Sequence, residues 1–457
     1  MADQRVVVVG GGLAGMAAAV ALESAHGPVT LIEARKTLGG RAGSFEDPQT
    51  AEVLDNCQHV LLGCCTNLLD FYARIGVADR IHWENTIRFV DPRGKTHGLR
   101  GGRRLPAPLH LLLGGATFGA LSLRQRWQLA RAMTAMLRLG RGGRAKLAET
   151  AFGQWLADHG QSEDLIERFY EIVLVSALNE QCRRASAGYA IQVLQESLLF
   201  HASGYRFGTP ACPLGRLYEK IPCRDVRLGT RMTGLRFSGQ RAIGVELDDE
   251  FLEAQAVVLA THYQALDKWI PPELAAADGR FAGLSQLESV PILGAHLWFD
   301  RPVLSMPHAA LMGGPLQWLF RKDSEGRVVH GVISAARDWA GRPKDQCLDV
   351  LVNQIRSTFA AAREAKLDRG VIVIEKRATF SPLPGVDRLR PAQAPPPGGI
   401  ANLFLAGDYT RTGWPATMEG AVRSGYLAAE AITGRKFLAA DLPLQWPARV
   451  LATAKSE

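Results

Sequence analysis

The segment VVVVGGGLAG, residues 6–15, joins a short hydrophobic run to a glycine-rich turn. Its four valines are β-branched and are typical of a strand that is buried on both faces. Gly10, Gly12 and Gly15 follow with the spacing G-x-G-x-x-G, which allows a tight turn, close approach of backbone to a pyrophosphate, and close helix–strand packing. An alanine-rich helix over residues 13–25 would direct its first N–H groups, near Leu13 and Ala14, at those phosphates. The pattern predicts a dinucleotide site.

A second strand is predicted at residues 29–32, and it ends at the acidic residue Glu33. This carboxylate lies 18 residues past Gly15, where a βαβ unit places an acceptor for the hydroxyl groups of a ribose. An acid here also disfavours a 2′-phosphate on that ribose. A glycine-rich turn without a ligand is the alternative. The strand, the helix and Glu33 together favour dinucleotide binding, with Ala34 and Arg35 at the same edge.

Two further motifs resemble those of the amine-oxidase and phytoene-desaturase superfamily of flavoproteins. Gly39-Gly40-Arg41 stands soon after the acid, and NLFLAGDYT, residues 402–410, stands near the C-terminus. The resemblance implies FAD, with Arg41 on the pyrophosphate side and Asp408 on the ribityl chain. It also implies cofactor contacts from Ala42, Met232, Gly407, Pro415, Ala416, Thr417, Met418 and Ala421, with a helix that begins near Thr417. No covalent-flavin cysteine pattern is present near the C-terminus, so we expect noncovalent FAD.

A physical argument supports the placement of Asp408. Residues 404–406 read as a buried strand, Gly407 clears space, and Asp408 follows at the carboxyl end of that strand. Ligands of open α/β sheets bind at this edge. Glu33 and Asp408 are therefore expected to hold two parts of one bound nucleotide.

These motifs predict an α/β fold in which a Rossmann-like FAD-binding domain of the amine-oxidase type is interrupted by an α+β substrate domain. At 457 residues the chain is long for a single domain. We assign residues 1–60, 205–265 and 396–436 to the FAD-binding domain and residues 61–204 and 266–395 to the substrate domain. Residues 437–457 are expected to form an extended or partly disordered tail.

The segment DNCQHVLLGC, residues 55–64, resembles a narrower group, the hydroxysqualene dehydroxylases, also called squalene-associated FAD-dependent desaturases. IEKRATFSP at 374–382 and TGWPATMEGAVRSG at 412–425 resemble the same group, and the resemblance covers about residues 1–435. Cys57 departs from it, since glycine is expected there. The resemblance implies reduction of hydroxysqualene to squalene, in squalene and hopanoid biosynthesis. Hydride would pass from N5 of the reduced flavin to an allylic carbon, with loss of water.

This chemistry needs a proton donor, because hydroxide is a poor leaving group. His59 is the best candidate, since an imidazole can donate near neutral pH, and a structural hydrogen bond is its alternative role. Asp55 is a second catalytic candidate that could orient His59 if the two lie on a helix, although on a strand they would lie well apart. Asn56, Gln58 and Trp414 are candidates for substrate contacts. The sequence contains no recognisable metal-binding pattern.

The positive charge is unevenly distributed. The net charge is +8, and no acidic residue lies between Asp91 and Glu149, a window that contains the apolar segment 105–123. Prolines and glycines in that segment argue against a transmembrane helix. Ser122 is predicted to cap a helix that ends at Leu139, followed by Gly140. Its apolar face is predicted to contain Leu123, Trp127, Ala130 and Leu137, and to be widened by Leu129, Met133 and Met136.

Three interpretations of this basic window remain open. It is an ordinary domain surface, a monotopic contact with an anionic membrane, or a nucleic-acid site, although no nucleic-acid motif supports the third. The seven cysteines are odd in number, and the first strand begins close to Met1 without a signal peptide, which favours a reducing compartment. We expect a cytoplasmic protein on the inner face of the cell membrane.

Two other functions compete with hydroxysqualene reduction. One is oxidative desaturation of phytoene or another carotenoid precursor on the same fold. The other is a non-catalytic, flavin-stabilised carrier that presents an isoprenoid to a squalene synthase-like partner. An upstream squalene or presqualene synthase-like enzyme is a possible partner in either case. The lipophilic character of residues 281–338 makes amine oxidation less suitable.

Overall fold

A computed structural model describes residues 5–102 and 104–452 of the chain. The basic residue Arg103, the first four residues of the predicted FAD-binding domain and residues 453–457 of the predicted tail lie outside the described residues. The fold class is α/β, as predicted from the sequence.

Of the described strands, the first eight lie within the first 100 residues and the others lie after residue 206. In chain order they are β1 Val6–Val9, β2 Val29–Glu33, β3 Ser44–Glu46, β4 Val53–Asp55, β5 Leu61–Leu62, β6 Ile81–Glu84, β7 Thr86–Val90, β8 Thr96–Arg100, β9 Phe207–Pro210, β10 Asp225–Leu228, β11 Met232–Ser238, β12 Arg241–Leu247, β13 Phe251–Glu253, β14 Ala256–Leu259, β15 Ser289–Phe299, β16 His308–Leu311, β17 Trp318–Arg321, β18 Val328–Ile333, β19 Leu367–Phe380 and β20 Leu403–Leu405.

Most of the helices lie between β8 and β9 or near the chain ends. They are α1 Leu13–Ala25, α2 Thr66–Arg74, α3 Leu112–Ala116, α4 Leu123–Leu139, α5 Phe152–Asp158, α6 Glu163–Leu165, α7 Glu171–Leu178, α8 Ala187–Leu194, α9 Pro272–Ala277, α10 Lys344–Thr358, α11 Met418–Thr433 and α12 Trp446–Leu451. Wider π-type turns at 166–170 and 195–199 continue α6 into α7 and extend α8.

A five-stranded parallel sheet with the order β10-β2-β1-β14-β20 forms the Rossmann-like part. The valines of β1 are fully buried or nearly so, because strands lie on both sides and helices cover the sheet. Helices α1 and α11 pack together so closely that a Cβ on Gly425 would collide with the carbonyl oxygen of Ala14. The predicted elements at both chain ends thus meet in one sheet, with β20 displaced by one residue from its predicted position.

A seven-stranded sheet with the order β19-β15-β18-β17-β16-β7-β8 forms the second layer. Its neighbours are antiparallel except for β16 and β7. Side chains of β15 alternate between the two faces, so Leu293 and Leu297 join Leu351 and Ile355 of α10 in one hydrophobic core. The opposite face of β15 contacts residues 55–57 and is described below. Trp298 lies in β15, and Trp318 begins β17.

Helix α4 has the predicted ends. Ser122 and Gln125 form a reciprocal capping box at its start, and Gly140 follows its last turn with a φ of 63°. The predicted apolar face is only partly correct, because Leu137 is buried, whereas Leu123 is 81% and Trp127 is 61% exposed. The core side of the helix presents Met136, as predicted, together with Gln125, Gln128 and Ala132.

The C-terminal segment is described through residue 452. After Lys436 it runs as an extended arm that is fixed by Asn67, Arg423 and Arg141, and it ends in the short helix α12, which packs near α4. Gln445 anchors the start of α12, because its backbone N–H donates to the carbonyl of Phe200 at 2.9 Å. In the part of the chain that the structure describes, no helix combines the length and apolar character needed to cross a bilayer.

Candidate active site

The glycine-rich turn between β1 and α1 has the crowding that its motif predicts. Gly10 adopts a φ of +111°, and a Cβ there would lie 2.6 Å from the carbonyl oxygen of Ala260. A Cβ on Gly15 would collide with the carbonyl oxygen of Gly10. At Gly12, in contrast, no described atom lies within 4 Å of the Cβ position, and α1 begins without a side-chain cap. The first N–H groups of α1, at Leu13 and Ala14, therefore face open space suited to a phosphate.

Glu33 closes one side of this turn. One carboxylate oxygen accepts a hydrogen bond from the backbone N–H of Gly11 at 2.7 Å, and the other accepts from the N–H of Arg35 at 2.7 Å. The contact holds the acid at the carboxyl end of β2, with Ala34 between the two anchor points. This is the edge of the sheet at which the sequence places the ribose acceptor.

The second glycine motif lies directly against the first. Gly39 donates from its N–H to the carbonyl of Gly11 at 2.8 Å, and the Cβ position of Gly40 is 3.1 Å from Cα of Gly12. Both glycines have positive φ, 110° and 59°, which favours glycine at each position. Ala42 is buried beneath the turn. Arg41 consequently projects from a turn that is fixed to the nucleotide-binding loop.

Arg41 joins the two ends of the chain. Its guanidinium donates to the two carboxylate oxygens of Asp408 at 2.6 and 3.1 Å, and to the carbonyl of Ala378 at 2.6 Å. Burial lowers the pKa of Arg41, but the charge and hydrogen bonds of Asp408 raise it, and the net direction is upward. A continuous series of contacts thus runs from Asp408 through Arg41 and its turn to Gly11 and Glu33.

The cleft offers polar groups that suit a dinucleotide. Thr261 Oγ1, His262 Nε2 and the Tyr409 hydroxyl are buried and have no hydrogen-bond partner among the described residues. Burial, followed by the charge of Arg41, lowers the pKa of His262 to about 4, so this imidazole is neutral at pH 7. Together with the uncapped start of α1, these atoms fit FAD, which would satisfy them when bound.

The last predicted cofactor contacts lie at the start of α11. Thr417 caps this helix, since its hydroxyl accepts from the N–H of Gly420 at 3.1 Å and lies 3.3 Å from the carbonyl of Pro415. Gly407, with a φ of +153°, precedes Asp408 in the turn after β20. The structure places Pro415, Ala416, Met418 and Ala421 in this loop and first turn, whereas Met232 is buried at the start of β11.

The loop at residues 55–59 connects the cleft to the seven-stranded sheet. Asn56 donates to the carbonyl of Gly40 at 3.2 Å, so this side chain supports the second glycine motif. Gln58 accepts from the ammonium of Lys322 at 2.9 Å. The Asp55 carboxylate accepts from Ser44 Oγ at 2.7 Å and from the N–H of Leu214 at 2.8 Å.

Among the described residues, no hydrogen bond joins Asp55 to His59. Asp55 ends strand β4 rather than lying on a helix, so the i,i+4 arrangement does not form. His59 instead places Nδ1 2.9 Å from the carbonyl of Cys57. Burial lowers the pKa of His59, although the Cys57 carbonyl and Asp55 oppose this. If Nδ1 donates to that carbonyl, Nε2 is the nitrogen that can exchange a proton with a ligand.

Trp414 is buried in the loop before α11. The guanidinium of Arg423 lies 4.9 Å from the centroid of the Trp414 ring. The backbone N–H of Trp414 donates to Thr412 Oγ1 at 3.2 Å. The Arg423 contact occupies one region of the ring. A substrate contact from Trp414 therefore stays a prediction.

Several residues of the site were not assigned a role from the sequence. Tyr263 and Tyr409 pack with ring centroids 5.6 Å apart, and His262 precedes Tyr263. Lys322 follows β17 and reaches residues 55–58, while His296 and His330 pair across β15 and β18. The feature of the sequence that could have pointed to these residues is their place relative to a strand. His262 follows the buried strand β14, and His296 alternates with Gly294 and Trp298 in β15.

Comparisons with known proteins show the family of the chain. The family profile for flavin containing amine oxidoreductases matches residues 13–433. The hydroxysqualene dehydroxylase of Rhodopseudomonas palustris is 30% identical over 452 residues, which cover 94% of this chain and 98% of that protein. The 15-cis-phytoene desaturase of Synechococcus elongatus is 26% identical over 465 residues, covering 94% and 96%.

Solved structures support the fold. A putrescine oxidase has a TM-score of 0.69 at 16% identity, covering 94% of this chain and 99% of its own. A putative protoporphyrinogen oxidase from Exiguobacterium has a TM-score of 0.66 at 16% identity, covering 95% and 99%. The chain is therefore an FAD-dependent oxidoreductase that belongs to the flavin-containing amine oxidoreductase family and is similar to the hydroxysqualene dehydroxylases.

Proposed function

We propose that this enzyme reduces hydroxysqualene to squalene. The observation that carries the proposal is the loop at residues 55–59, which carries His59 and contacts Gly40 through Asn56 and His296 through the Asp55 carbonyl. Removal of a hydroxyl group needs a proton-bearing side chain at this place. Similarity to the hydroxysqualene dehydroxylases, including that of Sinorhizobium fredii at 29% identity over 93% of this chain, supports the same reaction.

The proposed reaction balances as a two-electron reduction. The C–O bond of the allylic alcohol breaks, a C–H bond forms at the same carbon, and the oxygen leaves as water after it takes up a proton. Reduced FAD, when bound, supplies the hydride. The physiological reductant that returns electrons to the cofactor belongs to a separate half-reaction.

In this proposal the chain supplies the proton donor and the residues that hold it in position. His59 is the proposed proton donor through Nε2, and it must first be protonated, because burial favours its neutral form. Lys322 holds Gln58 and lies 3.6 Å from Asp55, which fixes the backbone around His59. Asp55 and Asn56 act as positioning residues, since their side chains bind the protein framework. The reaction also requires that water be kept from the allylic cation, which it would otherwise recapture.

Desaturation of a carotenoid precursor is the second candidate. It is supported by the similarity to phytoene desaturases and by the buried aromatic cluster of Phe207, Trp318 and Phe320, whose rings would suit contact with a hydrocarbon. Membership of an oxidoreductase family does not favour the third alternative, a carrier without turnover.

Anaerobic single turnover tests the two reactions. Dithionite-reduced enzyme mixed with hydroxysqualene should recover the absorbance of oxidised flavin and yield one squalene per flavin. Mixing the reduced enzyme with squalene is the control and should leave the flavin reduced. Absence of reoxidation by the alcohol, together with bleaching of oxidised enzyme by phytoene, would establish the desaturase instead.

We further propose that the enzyme docks on an anionic membrane through the surface formed by α3, α4 and α12, the docking face. Exposed apolar side chains are concentrated there: Leu105, Leu112, Leu113, Leu123, Trp127, Trp446, Val450 and Leu451. The guanidinium of Arg131 lies 4.7 Å from the centroid of the Trp127 ring, and Arg131 and Arg138 line a groove on the outer side of α4. In this arrangement the apolar side chains would insert into the membrane and the arginines would bind the lipid headgroups. A substrate dissolved in the membrane could then reach the enzyme without crossing water.

Not every basic residue of this window is available for headgroups. Arg141 and Arg144 both bind the buried carboxylate of Glu196, at 2.7 and 2.6 Å, and are therefore structural. Charge reversal of Arg124 and Arg131 to Glu should weaken binding to anionic vesicles about 10- to 100-fold at low salt. The same reversal at Arg327 and Arg363, outside the window, controls for net charge. Equal pelleting of both double variants would contradict the docking face.

A further inference from the structure

Four side chains form a transverse row across the middle strands of the seven-stranded sheet. His296 of β15 is the register partner of His330 of β18, which is also the partner of Phe320 of β17. Phe320 is in turn the partner of His308 of β16. Directly paired residues of neighbouring strands project from the same face, so the four side chains share one face of the sheet. We refer to them as the histidine row.

This face is the one that meets the loop at residues 55–59. His296 Nε2 lies 2.9 Å from the carbonyl oxygen of Asp55. A Cβ on Gly294 would lie 2.9 Å from His330 Nε2 and 3.3 Å from the carbonyl oxygen of Asn56. The absence of a side chain at Gly294 therefore leaves room for the His330 ring beside the loop that carries His59.

Aromatic rings pack around His308 and Phe320 at one end of the row. Phe207 stacks on Trp318 with ring centroids 5.6 Å apart and an interplanar angle of 12°, and it also packs on His308 at 4.7 Å. Trp318 stacks on Phe320 at 5.8 Å. A long hydrocarbon chain would pack well on such a surface, whereas a polar group would find few partners.

His330 differs from the other two histidines of the row. His296 contacts the Asp55 carbonyl, and His308 Nε2 accepts from the N–H of Arg88 at 3.3 Å. The His330 side chain is fully buried, and neither ring nitrogen has a hydrogen-bond partner among the described residues. Trp318 Nε1, on the same face, is also without one. A buried polar group left unpaired costs about 1–3 kcal/mol, so His330 is a site that a ligand can satisfy.

A metal ion does not account for these groups. The described residues contain no cluster of three or more histidine, cysteine or acidic side chains arranged to hold one. The centroids of the His296 and His330 rings are 4.0 Å apart with a 58° tilt, which is a packing contact between two imidazoles.

We propose that His330 binds the hydroxyl group of the isoprenoid alcohol and thereby selects an alcohol over a hydrocarbon. The inference rests on the proposed reduction of an allylic alcohol. A neutral imidazole has one N–H donor and one acceptor nitrogen, and a hydroxyl group can complement either. Binding there would hold the leaving oxygen on the face that His59 approaches and would direct the apolar chain along the aromatic surface.

The consequence is a difference in affinity between two ligands of the same length. Hydroxysqualene would satisfy His330, whereas squalene would leave it unpaired. A site built to hydrogen-bond a hydroxyl discriminates strongly against an analogue that lacks it. One lost hydrogen bond with an unpaired buried partner corresponds to about a 10- to 100-fold preference.

Ligand titration of the oxidised holoenzyme tests this directly, because the oxidised flavin cannot reduce the alcohol. Perturbation of the flavin spectrum would give dissociation constants for hydroxysqualene and squalene. Wild type should prefer the alcohol by at least about 10-fold. His330→Leu should lose most of that preference through weaker alcohol binding, and His330→Gln should retain part of it.

Phe320→Leu is the matched control, because it reshapes the same row without removing a polar group, and it should change both affinities alike. An unchanged preference in folded, flavin-loaded His330→Leu, or no preference in wild type, would overturn the role of His330. Failure of the proposed function is separate, since it would appear as no squalene formed by reduced wild type. Thermal melting of each holoenzyme establishes that the variants are folded.

Discussion

The nucleotide cleft and the histidine row lie on either side of the same loop, residues 55–59. They differ in whether their polar side chains have partners. In the cleft, charges are matched, as Arg41 is with Asp408, and the Glu33 carboxylate accepts from two backbone N–H groups. In the row, three uncharged imidazoles are buried among aromatic rings, and one has no partner. The cleft is thus organised for a charged ligand and the row for a largely apolar one.

This contrast assigns different tasks to the two regions. In the cleft, paired charges fix the residues that bind one cofactor. In the row, an unpaired neutral group in an apolar wall can distinguish one ligand from another. Burial lowers the pKa of His296 and of His330, for which the neighbouring His296 is a further cause, so both remain neutral at pH 7. The loop that carries His59 is where the two environments meet, and changes there should have the largest effect.

His59→Ala should slow flavin reoxidation by hydroxysqualene by about 10²- to 10⁴-fold in single turnover, since the leaving oxygen would lack its proton donor. Stopped-flow absorbance of the reduced enzyme measures this rate. His82→Ala, at an exposed histidine on β6, is the control and should react at the wild-type rate. An undiminished rate for flavin-loaded His59→Ala would transfer the donor role to a group of the histidine row or to water.

Asp408→Asn should weaken FAD binding by about 10- to 100-fold, because it removes the charged partner of Arg41 and the carboxylate assigned to the ribityl chain. Titration of apoprotein with FAD measures the dissociation constant. Glu375→Gln removes another negative charge that acts on Arg41 without an ion pair to it, and it should change binding less than about 3-fold. Similar losses in both variants would mean that only general electrostatics matters in the cleft.

The sequence was informative about the cleft because its residues lie in short local motifs. The positions of Gly10, Gly12 and Gly15 follow from one turn, and Asp408 follows from the end of one strand. Local rules also predicted the capping of α4 by Ser122. In each case the physical constraint acts within about one element of secondary structure.

The histidine row could not be predicted in the same way. His296 and His330 become neighbours only through the register of β15 against β18, and nothing local to either strand specifies that register. The exposure of Leu123 and Trp127 was likewise ambiguous, because an apolar stripe on a helix has the same sequence pattern whether it faces a core or a membrane. Asp55 shows a third limit, since its carboxylate binds Ser44 and Leu214 rather than His59.

The row and the cleft should also differ in their response to acid. Burial, followed by the charge of Arg88, lowers the pKa of His308 to about 4, whereas an unfolded histidine titrates near 6.5. Below pH 6.5 His308 binds a proton in the unfolded chain but stays neutral in the folded chain. The free energy of unfolding therefore falls as the pH decreases toward 4. From pH 7 to pH 5, His308 alone should remove about 2 kcal/mol from the free energy of unfolding.

His308→Gln isolates this contribution, because glutamine does not titrate and still offers an acceptor to the N–H of Arg88. Denaturant unfolding at fixed FAD, followed by tryptophan fluorescence from pH 7 to pH 5, should show a flatter pH dependence for the variant. His26→Gln, at a half-exposed histidine at the end of α1, is the control and should follow the wild-type curve. Parallel curves for wild type and His308→Gln would mean that the row accepts a proton when folded, and the contrast with the charged cleft would then no longer hold.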